Sequence, residues 1–87
     1  MIEFEFDKRK SQINKKKYGI DFIEAQSLWE DADRIEIPAK TIDEQRHLLI
    51  GKLSGKYWSV ILTYRGEKVR IISVRRSRKE EVEIYES

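Results

Sequence analysis

Eighty-seven residues make room for one small domain, spanning 1–87, with 18 lysines and arginines against 16 aspartates and glutamates for a net charge of +2. The absence of cysteine excludes a disulfide framework and a thiolate metal site, and a lone histidine, His47, is a poor basis for zinc. Hydrophobic and charged residues each make up 39% of the chain, which speaks against disorder; no apolar run reaches membrane-spanning length, the acidic start reads as neither a signal sequence nor a transit peptide, and with no cysteine present the cytoplasm is the expected compartment.

Ile2, Phe4 and Phe6 alternate with Glu3, Glu5 and Asp7, the period-two pattern of a strand with one buried face. Asp7 then caps a basic helix that Gly19 ends, with Ile13 as its main apolar anchor. Asp21 opens a second helix with Glu24 three residues on, a variant of the capping box, and Ile20 is placed to staple onto Ala25. Phe22, Ala25, Gln26 and Trp29 recur at helical spacing, broadened by Ile23 and Leu28, and the helix should fade near Asp31.

From Arg34 the period changes to two, with Ile35 and Ile37 in a strand that Pro38 is expected to stop, and "AKTIDEQ" reads as a loop. "RHLLIGKL", "YWSVILTY" and "KVRIISVR" follow, joined by the turn stretches "SGK" and "RGE", which make an antiparallel meander. Trp58, Val60, Leu62 and Tyr64 share one face of the middle strand. The last strand is ambiguous: Ile72 and Val74 share parity with Arg70, whereas Ser73 and Arg75 share parity with Val69 and Ile71. Ser77 and Glu80 suggest a capping box for a final helix from about Arg78 to Tyr85, with Val82 and Tyr85 turned inward. The fold class expected is α+β, a small antiparallel sheet with two N-terminal helices and one C-terminal helix.

Charge is segregated along this order. Lys8, Arg9, Lys10, Lys15, Lys16 and Lys17 crowd the first helix, while Arg70, Arg75, Arg76, Arg78 and Lys79 gather where the last strand meets the last helix. Bases at a helix start oppose the macrodipole, and a phosphate held by free amides and guanidinium forks would remove that conflict. The alternative is a solvated charged edge that deters strand-to-strand aggregation. For the lysine-rich helix the solvated reading is the stronger, and Tyr18 either stacks on a base or closes the helix end. His47 is a nominal acid or base, though a lone strand histidine is more often structural. Trp29 and Trp58 read as core. No nucleophile triad, phosphate loop, carboxylate dyad or metal-ligand spacing appears, and no metal or cofactor is expected.

"FEFD" before a basic helix with Asn14, "KKYG" closing it, "DFIEAQSLWED", Arg46, "VILTYR" and above all "RIISVRRSRKEEVEIYE" together resemble the BrnT family of type II toxins over essentially the whole chain. The resemblance implies a RelE-like ribonuclease that cleaves RNA without a metal or cofactor and blocks translation. It also implies a hetero-oligomer with a BrnA-like ribbon-helix-helix antitoxin, through which alone operator DNA would be reached; no membrane is involved. The implied chemistry is attack of a ribose 2′-hydroxyl on the adjacent phosphate, whose developing charge arginines and lysines can stabilise. Matched residue by residue, the catalytic candidates are Lys17, Arg46, Arg70 and Arg75, with Tyr85 added from the closing pattern. Lys16, Tyr18, Arg76, Arg78 and Lys79 are the expected RNA contacts. Tyr18 stands where members commonly have histidine and Ser77 where they have alanine; a tyrosine serving in proton transfer there would need a depressed pKa. Two other readings stand beside the nuclease: a catalytically weak homologue acting as antitoxin-binding corepressor, and a simple RNA-binding module.

Overall fold

The computed structural model describes residues 1–40 and 44–87. Its elements run β1 (Glu3–Glu5), α1 (Lys8–Tyr18), a 3-10 helix (Glu24–Glu30), β2 (Ile35–Ala39), β3 (Arg46–Leu53), β4 (Lys56–Arg65), β5 (Lys68–Arg76) and α2 (Lys79–Glu86). The five strands form one sheet in the order β1-β5-β4-β3-β2. Among the described residues no helix is long and apolar enough to cross a membrane.

The expectation of an antiparallel sheet is corrected here. Strands β2 to β5 do form an antiparallel meander, but β1 runs parallel to β5, with Phe4 opposite Val69, so the sheet is mixed. Tight turns force neighbouring strands to run antiparallel, whereas β1 reaches β5 only after the whole intervening chain, which leaves its direction free. The second N-terminal helix is corrected too, from an α-helix to a 3-10 helix. Its buried residues are Ala25, Leu28 and Trp29, and Phe22 just before it lies three positions from Ala25 as Ala25 does from Leu28, the period of the tighter turn.

Local capping follows the chemistry of the side chains. Asp7 accepts hydrogen bonds from the amides of Arg9 and Lys10, and Gly19 ends α1 at φ +83°, a left-handed conformation that costs glycine little. Asp21 Oδ1 accepts from the amides of Ile23 and Glu24, and Glu24 Oε1 accepts from the amide of Asp21, a reciprocal capping box. Pro38 does not stop β2, which continues to Ala39 with Pro38 opposite His47. β2 is an edge strand, where a missing N–H is tolerated. Of the loop expected over 39–45, Ala39 belongs to the strand and 41–43 lie outside the described residues.

One core fills the space between the sheet and the segment from Ile20 to Trp29. Ile20, Phe22, Ala25, Leu28 and Trp29 meet Leu49, Trp58, Val60, Leu62, Val69, Ile71 and Val74. Phe4 and Phe6 close one side through edge-on contacts with Trp29 and Phe22, at centroid distances of 5.0 and 5.8 Å. The backbone of β3 comes close to Leu28 at Gly51, where a Cβ would sit 3.2 Å from Leu28 Cδ2.

α1 is attached by polar contacts rather than by Ile13, which is 56% exposed against expectation. Its buried residues are Ser11 and Asn14. Ser11 Oγ accepts from the Phe22 amide at 2.9 Å. The Asn14 amide donates to the Ile20 carbonyl at 2.8 Å, and its oxygen accepts from the Val74 amide at 3.2 Å. Beyond Arg70, where the β1 pairing ends, α1 thus supplies a partner for the backbone of β5.

Candidate functional site

A β-bulge decides which basic residues share a surface. Leu62 pairs with Ile71 but Ile61 pairs with Ser73, so Ile72 is an extra residue on β5. Strict alternation would put Arg70 and Arg75 on opposite faces, since they are an odd number of residues apart. The bulge restores them to one face and lets Val69, Ile71 and Val74 all reach the core, which resolves the mixed parity of this strand.

That shared face is the one turned away from the core. Ser59, Ile61 and Thr63 of β4 lie on it, opposite Arg75, Ser73 and Arg70 respectively. On β3, Leu48 and Ile50 pair with Ile61 and Ser59. Arg46, two residues before Leu48, shares their face and stands level with Thr63 and Arg70. Two strand spacings separate Arg46 from Arg70, roughly 10 Å between Cα atoms, which two long guanidinium side chains can span. Arg70 to Arg75 is longer, roughly 13 Å along the strand. Leu48, Ile61 and Ser73 form a half-buried floor between them.

α2 covers one end of this face, and its first turn reverses an expectation. Rather than an open pocket for an external anion, the helix start holds its own glutamate. Arg75 Nη1 and Nη2 donate to Glu81 Oε1 and Oε2, both at 2.8 Å. Glu81 Oε1 also accepts from the Ser59 hydroxyl and from the Arg78 amide. Glu81, not Glu80, is the acid that reaches back to the helix start, which begins one residue later than expected; Ser77 instead pairs its hydroxyl with Ser59 at 2.8 Å. Glu81 was missed because Glu80 and Glu81 are adjacent in "RKEE", and only the placement of the strand chooses between them.

Hydrogen bonds from Arg75 pull the Glu81 carboxyl down to about 2, against the opposing effect of burial and with help from the Arg78 amide and Ser59. Arg75 is raised in turn, first by that hydrogen bond, with burial opposing and the charges of Glu81 and nearby Tyr18 adding. Since the folded carboxyl lies below its ordinary 4.5, its ionised form stabilises the fold. The contribution is complete above about pH 4.5 and disappears as pH falls toward about 2. Glu81→Gln should therefore lower the urea midpoint at about pH 7 and flatten its decline toward about pH 3. An unchanged acid slope would place the responsible group elsewhere.

The remaining candidates divide between this face and other places. Arg70 lies 3.6 Å from Glu5 and near Asp7, whose carboxyl is lowered by the Lys10 and Arg9 amides and, more weakly, by Arg70, against the opposing effect of burial. Lys17 Nζ sits 5.2 Å from the Tyr18 ring centroid at the end of α1. Arg76 turns the other way, over the Trp58 ring at 5.5 Å. Lys16 lines a groove on the outer side of α1; Arg78 and Lys79 are exposed at the start of α2.

Tyr85 is not brought together with the arginines. Its hydroxyl donates to Asp31 at 2.8 Å, its ring packs edge-on against Tyr57, and Tyr57 in turn bonds Glu86. Burial first, then Asp31, pushes Tyr85 up to about 12, which disfavours a tyrosinate there. His47 points to the core side of the sheet, 3.3 Å from Glu36 and edge-on to Tyr64, apart from Arg46.

Residues 6–81 match a family model described as ribonuclease toxin, BrnT, of type II toxin-antitoxin system. No curated protein matches the chain.

Proposed function

Because the chain belongs to the BrnT family of ribonuclease toxins of type II toxin-antitoxin systems, we propose that the sheet face turned away from its core cleaves RNA without a metal and thereby blocks translation until an antitoxin covers it. The observation that carries this reading is the bulge at Ile72, which gathers Arg70 and Arg75 on the face that also bears Arg46. Arg46 and Arg70 flank the scissile phosphate. Arg75 reaches toward the same phosphate from the α2 end of the face, and Leu48 and Ile61 give the bases an apolar floor.

The step itself is a transesterification. The 2′-oxygen bonds to phosphorus as its proton leaves, and the bond to the 5′-oxygen breaks as that oxygen gains a proton. A 2′,3′-cyclic phosphate and a 5′-hydroxyl end result. Negative charge grows on the non-bridging oxygens, where fixed guanidinium groups act most strongly. Tyr85, tied to Asp31, has no part in this scheme. A BrnA-like ribbon-helix-helix antitoxin completes the assembly and alone contacts operator DNA; the complex works in the cytoplasm.

The test is incubation of single-stranded RNA with the purified chain in excess chelator, followed by end-group analysis. Fragments with cyclic phosphate and 5′-hydroxyl ends are expected, and growth should stop when the chain is expressed alone. RNA left intact, with antitoxin binding retained, would favour the corepressor reading, to which the Arg75–Glu81 pair gives physical support by neutralising a needed cation.

A further inference from the structure

The outer side of α1 presents a groove that the proposed cleavage does not use. Its floor is aliphatic and aromatic: Ile13 and Ile23 are 56% and 64% exposed, and half-buried Phe6 lies with them. Single exposed apolar side chains are ordinary, but a contiguous set rimmed by polar groups marks an interaction surface. The rim is cationic, with Lys8, Arg9 and Lys16 making no ion pair among the described residues, while Lys15 is held by Glu24 at 2.8 Å. Asp21 is the one acid lining it.

We propose that this groove is the docking site for an acidic amphipathic helix of the antitoxin, an inference that rests on the toxin–antitoxin reading above. A helix laid along α1 would place apolar side chains at every third or fourth position between Ile13 and Ile23. Acidic side chains on its flanks would meet Lys8, Arg9 and Lys16, and their complementarity would speed and orient association. RNA fits the site less well, because strand binding depends on ring stacking and the one ring lining the groove, Phe6, is half-buried and already packed edge-on against Phe22. Tyr18 is not among the residues lining this groove. The same surface explains why α1 keeps Ile13 outside although its own attachment to the fold runs through Ser11 and Asn14.

The experiment uses the small protein encoded by the reading frame adjoining that of this chain, titrated calorimetrically against the full-length chain. Ile23→Glu should weaken the complex by at least about tenfold through loss of apolar burial, with RNA cleavage and thermal midpoint unchanged. Ile13→Glu serves as a second, independent variant. Lys8→Glu with Arg9→Glu should weaken the complex and flatten its dependence on salt. Undiminished binding by both isoleucine variants would overturn the docking site while leaving the partnership intact. No complex with the unaltered chain would overturn both. Loss of RNA affinity without loss of the complex would assign the groove to RNA, and loss of self-association in sedimentation would assign it to a second copy; either result overturns the proposal.

Discussion

Arg70→Ala should slow RNA cleavage by on the order of 100- to 1000-fold, the loss typical of removing one preorganised donor from a developing oxyanion. The fold should survive, because the contact with Glu5 is 3.6 Å long and partly solvated, and pairs of that kind contribute about 0–1 kcal/mol. Single-turnover rates at saturating RNA separate this loss from weakened binding. A simple electrostatic RNA binder would behave differently. Removing Lys8, which lies on the far side of α1, would then cost as much as removing Arg70, and both effects would fade with salt. Equal, salt-sensitive losses at the two positions would count against a catalytic role for Arg70.

Phe22→Ala should be the most damaging single change to the fold, at about 3–5 kcal/mol. Phe22 is 1% exposed, packs edge-on against Phe6, and joins the 3-10 segment to the sheet. Its amide is also held by Ser11, so a shift of this residue is transmitted to α1. Domains of this size sit near the low end of the ordinary 5–15 kcal/mol range, so the variant should be largely unfolded well below the usual urea midpoint. Ile13→Ala, at an exposed position, should change stability by less than about 0.5 kcal/mol. Circular dichroism during urea titration of the two variants distinguishes a core centred on Phe22 from one anchored by α1.

What could be read from the residues was local. Asp7, Gly19 and the Asp21–Glu24 pair define helix ends through bonds spanning two to four residues, and the turns at Gly55 and Gly66 define the meander. The direction of β1 was not legible, because alternation of Phe4 and Phe6 reveals a buried face and not a partner. The bulge at Ile72 left a trace, the conflicting parities of β5, but resolving it required the register against β4. Asn14 and Val74 are sixty residues apart, and nothing near either one announces the bond between them.

The site shows the same division. Its arginines stood out as a cluster, whereas their state depends on carboxylates brought in from other elements. Arg75 meets Glu81 of α2, and Arg70 meets Glu5 of β1. A motif read along the chain counts cations; the folded molecule determines how many remain available to a phosphate. Tyr85 shows the reverse case, a polar group in a recognisable pattern whose hydroxyl the fold ties to Asp31.

The most direct measurement is a double-mutant cycle of Arg70→Ala and Arg75→Gln, read as single-turnover cleavage by the folded protein in chelator. If the bulge builds one cooperative site, the double variant should be little slower than the worse single variant. Losses that multiply independently, or cleavage indifferent to either arginine, would contradict it.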